Sequence, residues 1–101
     1  MLNRDQINNI LEERLNYPKH LVGSIVEKIM NMDSKLIDSF EAWLTNNKIP
    51  EYSVEDYTIE TLMDKEKMSI ISAFLTMDSL IKEPEIAKQA LSYGIHELKH
   101  K

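Results

Sequence analysis

The sequence predicts an all-α protein: one domain over 1–101, folded as a compact bundle of five or six short helices. Three observations predict it. Apolar residues recur at the 3.6-residue helical period through most of the chain. Glycine occurs twice and proline three times in 101 residues, so the few interruptions stand out as segment ends. No window alternates with the period of two that marks a strand. Val54 and Tyr57-Thr58-Ile59 are the only β-leaning spots, and they are too short to build a sheet.

The first helix starts at Asn3, which forms a capping-box pattern with Gln6, and its buried stripe is Ile7, Ile10, Leu11 and Leu15. Asn16-Tyr17-Pro18 ends it, because a residue before proline avoids helical geometry. Pro18 then opens a second helix, whose stripe reads Leu21, Val22, Ile25, Ile29 and Met32. Asp33 or Ser34 caps a third helix through about Thr45, with Leu36, Ile37, Phe40, Trp43 and Leu44 on one face. Asn46-Asn47 is a natural stop. Residues 48–57 form the longest connection, with room for one short turn capped by Ser53. Thr58 caps a short helix through Leu62 and Met63, and Asp64-Lys65-Glu66-Lys67 reads as a break or a solvated turn.

The helix over about 68–82 is the most apolar. Ile70, Ile71, Ala73, Phe74, Leu75, Met77, Leu80 and Ile81 cover most of its circumference, which places it at the centre of the bundle. A narrow strip of Ser69, Ser72, Thr76 and Ser79, with Asp78 beside it, leaves room for close approach by a neighbouring helix or a second copy of the chain. Glu83-Pro84 ends this helix and opens the last. There Ile86, Ala87, Ala90, Leu91, Ile95 and Leu98 read as the core side.

Composition narrows the chemistry. Cysteine is absent, which removes disulfides, thiolate metal sites and thiol nucleophiles. Seventeen acidic against twelve basic residues give a net charge of −5, and a phosphate backbone is best met by a basic face. Two of the basic residues are arginines, Arg4 and Arg14. The amino-terminal residues do not read as a signal peptide, and no stretch approaches the ~18 apolar residues of a membrane helix. The expected location is cytoplasmic. Twelve isoleucines, seven asparagines and a lysine bias suit AT-rich coding, as in a low-GC bacterium or a mobile element.

His96-Glu97-Leu98-Lys99-His100 resembles the HExxH signature of zinc metallopeptidases, in which two histidines one turn apart hold zinc and the glutamate activates water. That resemblance implies a zinc-dependent hydrolase with His96 and His100 as metal ligands. The string departs from the pattern in its charged Lys99 and Lys101, in the lack of a downstream third ligand and in the lack of a sheet edge. Helical phase also sets both imidazoles on a polar stripe with Glu85, Gln89 and Ser92, facing solvent. Glu97-x-x-His100 matches half of a di-iron site, without the second Glu-x-x-His such a site requires. No phosphate-binding glycine loop or calcium loop occurs. No catalytic residue, cofactor or metal is assigned.

Two stretches are candidates for binding. The second and third helices have the spacing of a helix-turn-helix, but the would-be reading helix offers Lys35 against Asp38 and Glu41. The connection 48–57 carries Glu51, Tyr52, Glu55, Asp56 and Tyr57, and carboxylates interleaved with tyrosines suit a basic partner surface. The alternative is that Ile49, Val54 and the tyrosine rings lid the core. The expectation is a small acidic, non-enzymatic interaction or regulatory protein that binds another protein, with a homodimer possible. A helix-turn-helix-like nucleic-acid regulator is the second reading.

Overall fold

Asn3 sets the chain into its first helix as its sequence implies. The Gln6 N–H donates to Asn3 Oδ1 at 2.8 Å and the Asn3 N–H to Gln6 Oε1 at 2.9 Å, so two of the donors a helix start leaves open are satisfied reciprocally. The computed structural model describes residues 2–49 and 51–99, with side chains described for all of these but Glu66 and residues 94–99. In chain order the elements are α1 (Arg4–Asn9), continued by a π-helical turn (Ile10–Arg14), then α2 (Lys19–Met30), α3 (Ser34–Asn46), β1 (Ser53–Val54), β2 (Tyr57–Thr58), α4 (Ile59–Glu66), α5 (Ile70–Lys82) and α6 (Pro84–Lys99). The protein is mostly helical, as expected, with one small hairpin.

The π turn is a feature that periodicity did not announce. The Leu15 N–H donates to the Ile10 carbonyl, five residues back, and the Tyr17 N–H to the Leu11 carbonyl at 2.9 Å. The widened turn keeps Ile7 and Leu11 buried. It ends at Asn16, which takes left-handed backbone at φ 57°, a conformation asparagine tolerates better than most residues. From this turn Arg14 reaches across to the end of α3. It donates to the Leu44 carbonyl at 2.7 Å and to the side chain of Asn47, the left-handed cap residue. A guanidinium at a helix carboxyl end satisfies an open carbonyl and opposes the helix dipole.

Pro18 precedes α2 as its cap, and Lys19 is the first helical residue. The expected stripe of α2 needs rotating. Val22, Val26 and Ile29 are buried at i, i+4, i+7, whereas Leu21 is 44% exposed. Packing against α1 selects a narrower face than the apolar residues of α2 offer. Asp33 caps α3, its side chain accepting from the Lys35 N–H at 3.0 Å.

The connection after α3 holds a hairpin, where one capped turn at Ser53 was expected. Ser53 pairs with Thr58 and Val54 with Tyr57, antiparallel. Glu55, first of the two turn residues, has φ 53°, the positive value that tight two-residue hairpins demand. Thr58 leaves the hairpin and caps α4, accepting from the Thr61 N–H at 3.0 Å. The charged run 64–67 is both things expected of it. Asp64 to Glu66 complete α4, and Lys67 breaks it with left-handed backbone.

α5 is central. It packs against α3, α4, α6 and the hairpin. Its Ile71, Ala73, Phe74, Met77 and Leu80 are buried in a single apolar cluster that also takes in Ile7, Leu11, Leu36, Phe40, Ile59 and Leu62. Phe40 and Phe74 meet edge to face with centroids 5.3 Å apart. At the far end, the Asp78 carboxylate accepts from the Asp33 N–H at 2.8 Å and pairs with Lys82 at 3.1 Å. Lys82 in turn donates to the Asn31 carbonyl. One polar node thus joins the end of α2, the start of α3 and the last turns of α5.

Candidate protein-docking surface

α6 has two apolar faces, and the core covers one of them. Ala87 and Leu91 are buried against α5. Ile86, Ala90 and Tyr93, at i, i+4, i+7, point outward. Ile86 is 64% and Tyr93 68% exposed, the two most exposed of the large hydrophobic side chains described. This corrects the expectation that Ile86 and Ala90 lie on the core side. α5 covers the side of α6 that carries Ala87 and Leu91, and the apolar arc of α6 is wider than that side. Ile95 and Leu98, also expected in the core, have side chains outside the described set.

Beside this stripe runs a groove of about 300 Å³ between α5 and α6. It is lined by Met68, Thr76, Ser79, Glu83, Ile86, Ala87, Ala90 and Leu91. Thr76 and Ser79, two residues of the hydroxyl strip read from the sequence, supply one wall. Ser69 caps α5, accepting from the Ser72 N–H at 3.2 Å. The Thr76 hydroxyl donates to the Ser72 carbonyl at 2.8 Å and the Ser79 hydroxyl to the Leu75 carbonyl at 3.2 Å. Both protons are committed to their own helix, a common arrangement for Ser and Thr in mid-helix. This wall therefore presents methyl, methylene and already bonded oxygen, and covering it strands no donor. Met68, half-buried at the open end, adds a polarisable and adaptable side chain. Glu83 lies at the closed end, and its carboxylate meets no cation within ion-pair distance among the described residues.

The residues expected to meet a partner in the connection divide by environment. Tyr52 and Tyr57 are half-buried against the core, as is Val54, so the rings cover the cluster. Glu51, Glu55 and Asp56 are exposed. Glu55 accepts an ion pair from Lys88 on α6 at 2.6 Å, tying the hairpin tip to that helix. This hydrogen bond holds the Lys88 ammonium above its ordinary pKa of 10.5, against a smaller opposing effect of desolvation. Burial, and secondarily the charge of Asp33, push the Tyr52 hydroxyl above its ordinary 10.0. Glu51 and Tyr52 line a shallow depression with Ile49, which is 38% exposed.

Lys35 and Asp38 are exposed on α3 and Glu41 half-exposed, while Trp43 packs on the core and stacks obliquely on Phe40. Of the HExxH-like string, His100 and the side chains of His96 and Glu97 lie outside the described residues. Among the described residues no three His, Asp or Glu side chains gather as a metal ligand set, and no helix is long and apolar enough to cross a membrane. Compared with protein-family models, curated proteins and solved structures, the chain matches none.

Sequence reasoning missed the outward stripe of α6, although the signal was there. Ile86 and Ala90 are offset by about 100° from Ala87 and Leu91 on a helical projection. An arc that wide on a helix whose main packing neighbour is α5 has a part left over.

Proposed function

We propose that this protein is a non-enzymatic interaction domain that binds another protein through the α5–α6 face. The single observation that carries the proposal is the outward stripe Ile86–Ala90–Tyr93 beside the groove. Isolated exposed apolar side chains are ordinary on protein surfaces, but a contiguous set beside a groove marks a contact surface. Tyrosine is also enriched where proteins meet, since its ring adds contact area and its hydroxyl stays wet. The stripe is carried on a helix packed against α5, and the wall of committed hydroxyls allows close approach.

A photo-crosslinking amino acid at position 90 of the full chain, in cells that make the protein, tests this. The expected result is a discrete partner whose crosslinked peptide is identified by mass spectrometry and which disappears when Ile86→Asp is added. The same crosslinker at Asp38, on exposed α3, should capture nothing equivalent. Identical products from both positions, or products unchanged by Ile86→Asp, would overturn the proposal.

A further inference from the structure

We infer that the occupant of the α5–α6 face is an amphipathic helix of two to three turns with a lysine- or arginine-rich flank. This rests on the reading of that face as a docking surface. Three features of the groove specify the occupant.

The first is periodicity. Ile86, Ala90 and Tyr93 project from two successive turns of α6 and span about 10 Å along its axis at 1.5 Å per residue. A helix laid alongside meets such a row with its own i, i+4, i+7 residues, whereas an extended strand would need an open backbone edge to pair with. None is offered here, since both walls of the groove are helices whose peptide groups bond within the helix. The small residues Ala90, Thr76 and Ser79 set the distance of approach, in the way that ridges on one helix enter grooves on another.

The second is the satisfied wall. Covering Thr76 and Ser79 strands no hydroxyl proton, because both already donate to carbonyls of their own helix. An apolar helix face is then a suitable cover. A ligand recognised by hydrogen bonds would find few free donors there.

The third is charge. Glu83 closes one end of the groove without a cation beside it among the described residues. The nearest lysine in sequence, Lys82, is turned to Asp78 and to the Asn31 carbonyl at the end of α2. The whole chain carries −5. Long-range repulsion therefore disfavours a second copy of this chain, and attraction steers a basic partner in.

Two labelled helical peptides with the same leucine stripe test the inference, one flanked by lysines and one by glutamates. Binding to the full chain is read by fluorescence anisotropy at low salt. The lysine peptide should bind at least about tenfold more tightly than the glutamate peptide, and added salt should shrink the difference. Glu83→Lys should narrow the preference severalfold. Ile86→Asp should abolish binding of both peptides, with circular dichroism confirming the fold. Tyr93→Ser is a second, milder variant that should weaken both peptides and leave their ratio intact.

Equal affinity for the two peptides, or tighter binding of the glutamate peptide, would overturn the basic flank. A concentration-dependent dimer dissolved by Ile86→Asp would make the second copy the occupant and overturn the inference. If neither peptide binds while the position-90 crosslinks still form, the helical occupant is wrong and the docking surface stands. Loss of both results removes the surface as well.

Discussion

The carboxylate of Asp78, in the last turns of α5, accepts a hydrogen bond from the backbone N–H of Asp33 across 2.8 Å, forty-five residues away in the chain. An open donor before the first turn of α3 is thereby satisfied by another helix. Lys82 completes the arrangement by pairing with the same carboxylate and capping the Asn31 carbonyl. Asp78→Ala should therefore destabilise the fold by about 1–3 kcal/mol, the cost of leaving a partly buried donor unmet. Asp78→Asn keeps an acceptor for the N–H and loses an ion pair whose lysine is half-exposed, so the loss should be smaller, about 1 kcal/mol. Urea denaturation of both variants, with the slope unchanged and the midpoint lowered in that order, is the check. Equal midpoints would show that the hydrogen bond contributes little.

Lys67 holds left-handed backbone at φ 53° where α4 ends. Lysine in that region costs about 1–2 kcal/mol, whereas glycine adopts it freely and loses part of the advantage in chain entropy. Lys67→Gly is expected to stabilise the protein by about 0.5–1 kcal/mol, seen as a higher thermal midpoint. Lys67→Ala should give no such gain. A glycine variant that melts lower would mean that the α4–α5 junction is held differently.

Phe74 is the side chain on which the bundle converges, buried and in edge contact with Phe40. Phe74→Ala should cost about 3–5 kcal/mol, through lost burial and the cavity left behind. Small domains carry about 5–15 kcal/mol in total, so this variant should unfold far earlier in urea or fail to fold. Phe74→Leu should keep the fold and lose markedly less. A mild effect from Phe74→Ala would contradict the central place of α5.

Alkaline pH should weaken the fold through two groups with the same sign. Tyr52 has its folded pKa raised, by burial first and Asp33 second. The folded state holds the phenol proton more tightly than the unfolded chain, and stability declines as pH rises past the ordinary value of 10.0. Lys88 is raised too, chiefly by its hydrogen bond to Glu55. Its contribution is fully present below 10.5 and is lost as pH climbs through the folded value. Thermal midpoints measured across this range should fall, and Tyr52→Phe should flatten part of the fall. A Tyr52→Phe profile that superimposes on the wild type would remove Tyr52 from this explanation.

How much of this was legible in the chain follows from which interactions are local. Caps were: Asn3 with Gln6, Asp33 before α3, Thr58 before α4 and Asn47 after α3 all act within a few residues of the helix ends they mark. The buried face of α5 was legible because its apolar residues outnumber what a surface helix carries. The hairpin was legible only as the β-leaning Val54 and Tyr57-Thr58, which read as too short to pair, because its turn is Glu55-Asp56, without the Asn-Gly or Gly residues that signal positive φ. The π turn depends on a register change that an average period smooths over. On α2, Val26 is buried and Leu21 exposed because packing against α1, a tertiary fact, decides which part of a broad apolar arc turns inward. The same ambiguity hid the candidate site. Ile86 and Ala90 look like core in a list of apolar positions, and they become surface once α5 is seen to be the main neighbour of α6.

The α5–α6 face is tested most directly by recording backbone amide and methyl NMR spectra of the labelled full chain as the lysine-flanked helical peptide is added. Saturable shifts should concentrate at Thr76, Ser79, Ile86, Ala90 and Tyr93 and leave Leu21, Asp38 and Ile49 in place. Shifts centred on Ile49 and the hairpin, or a spectrum that does not move at all, would contradict the account.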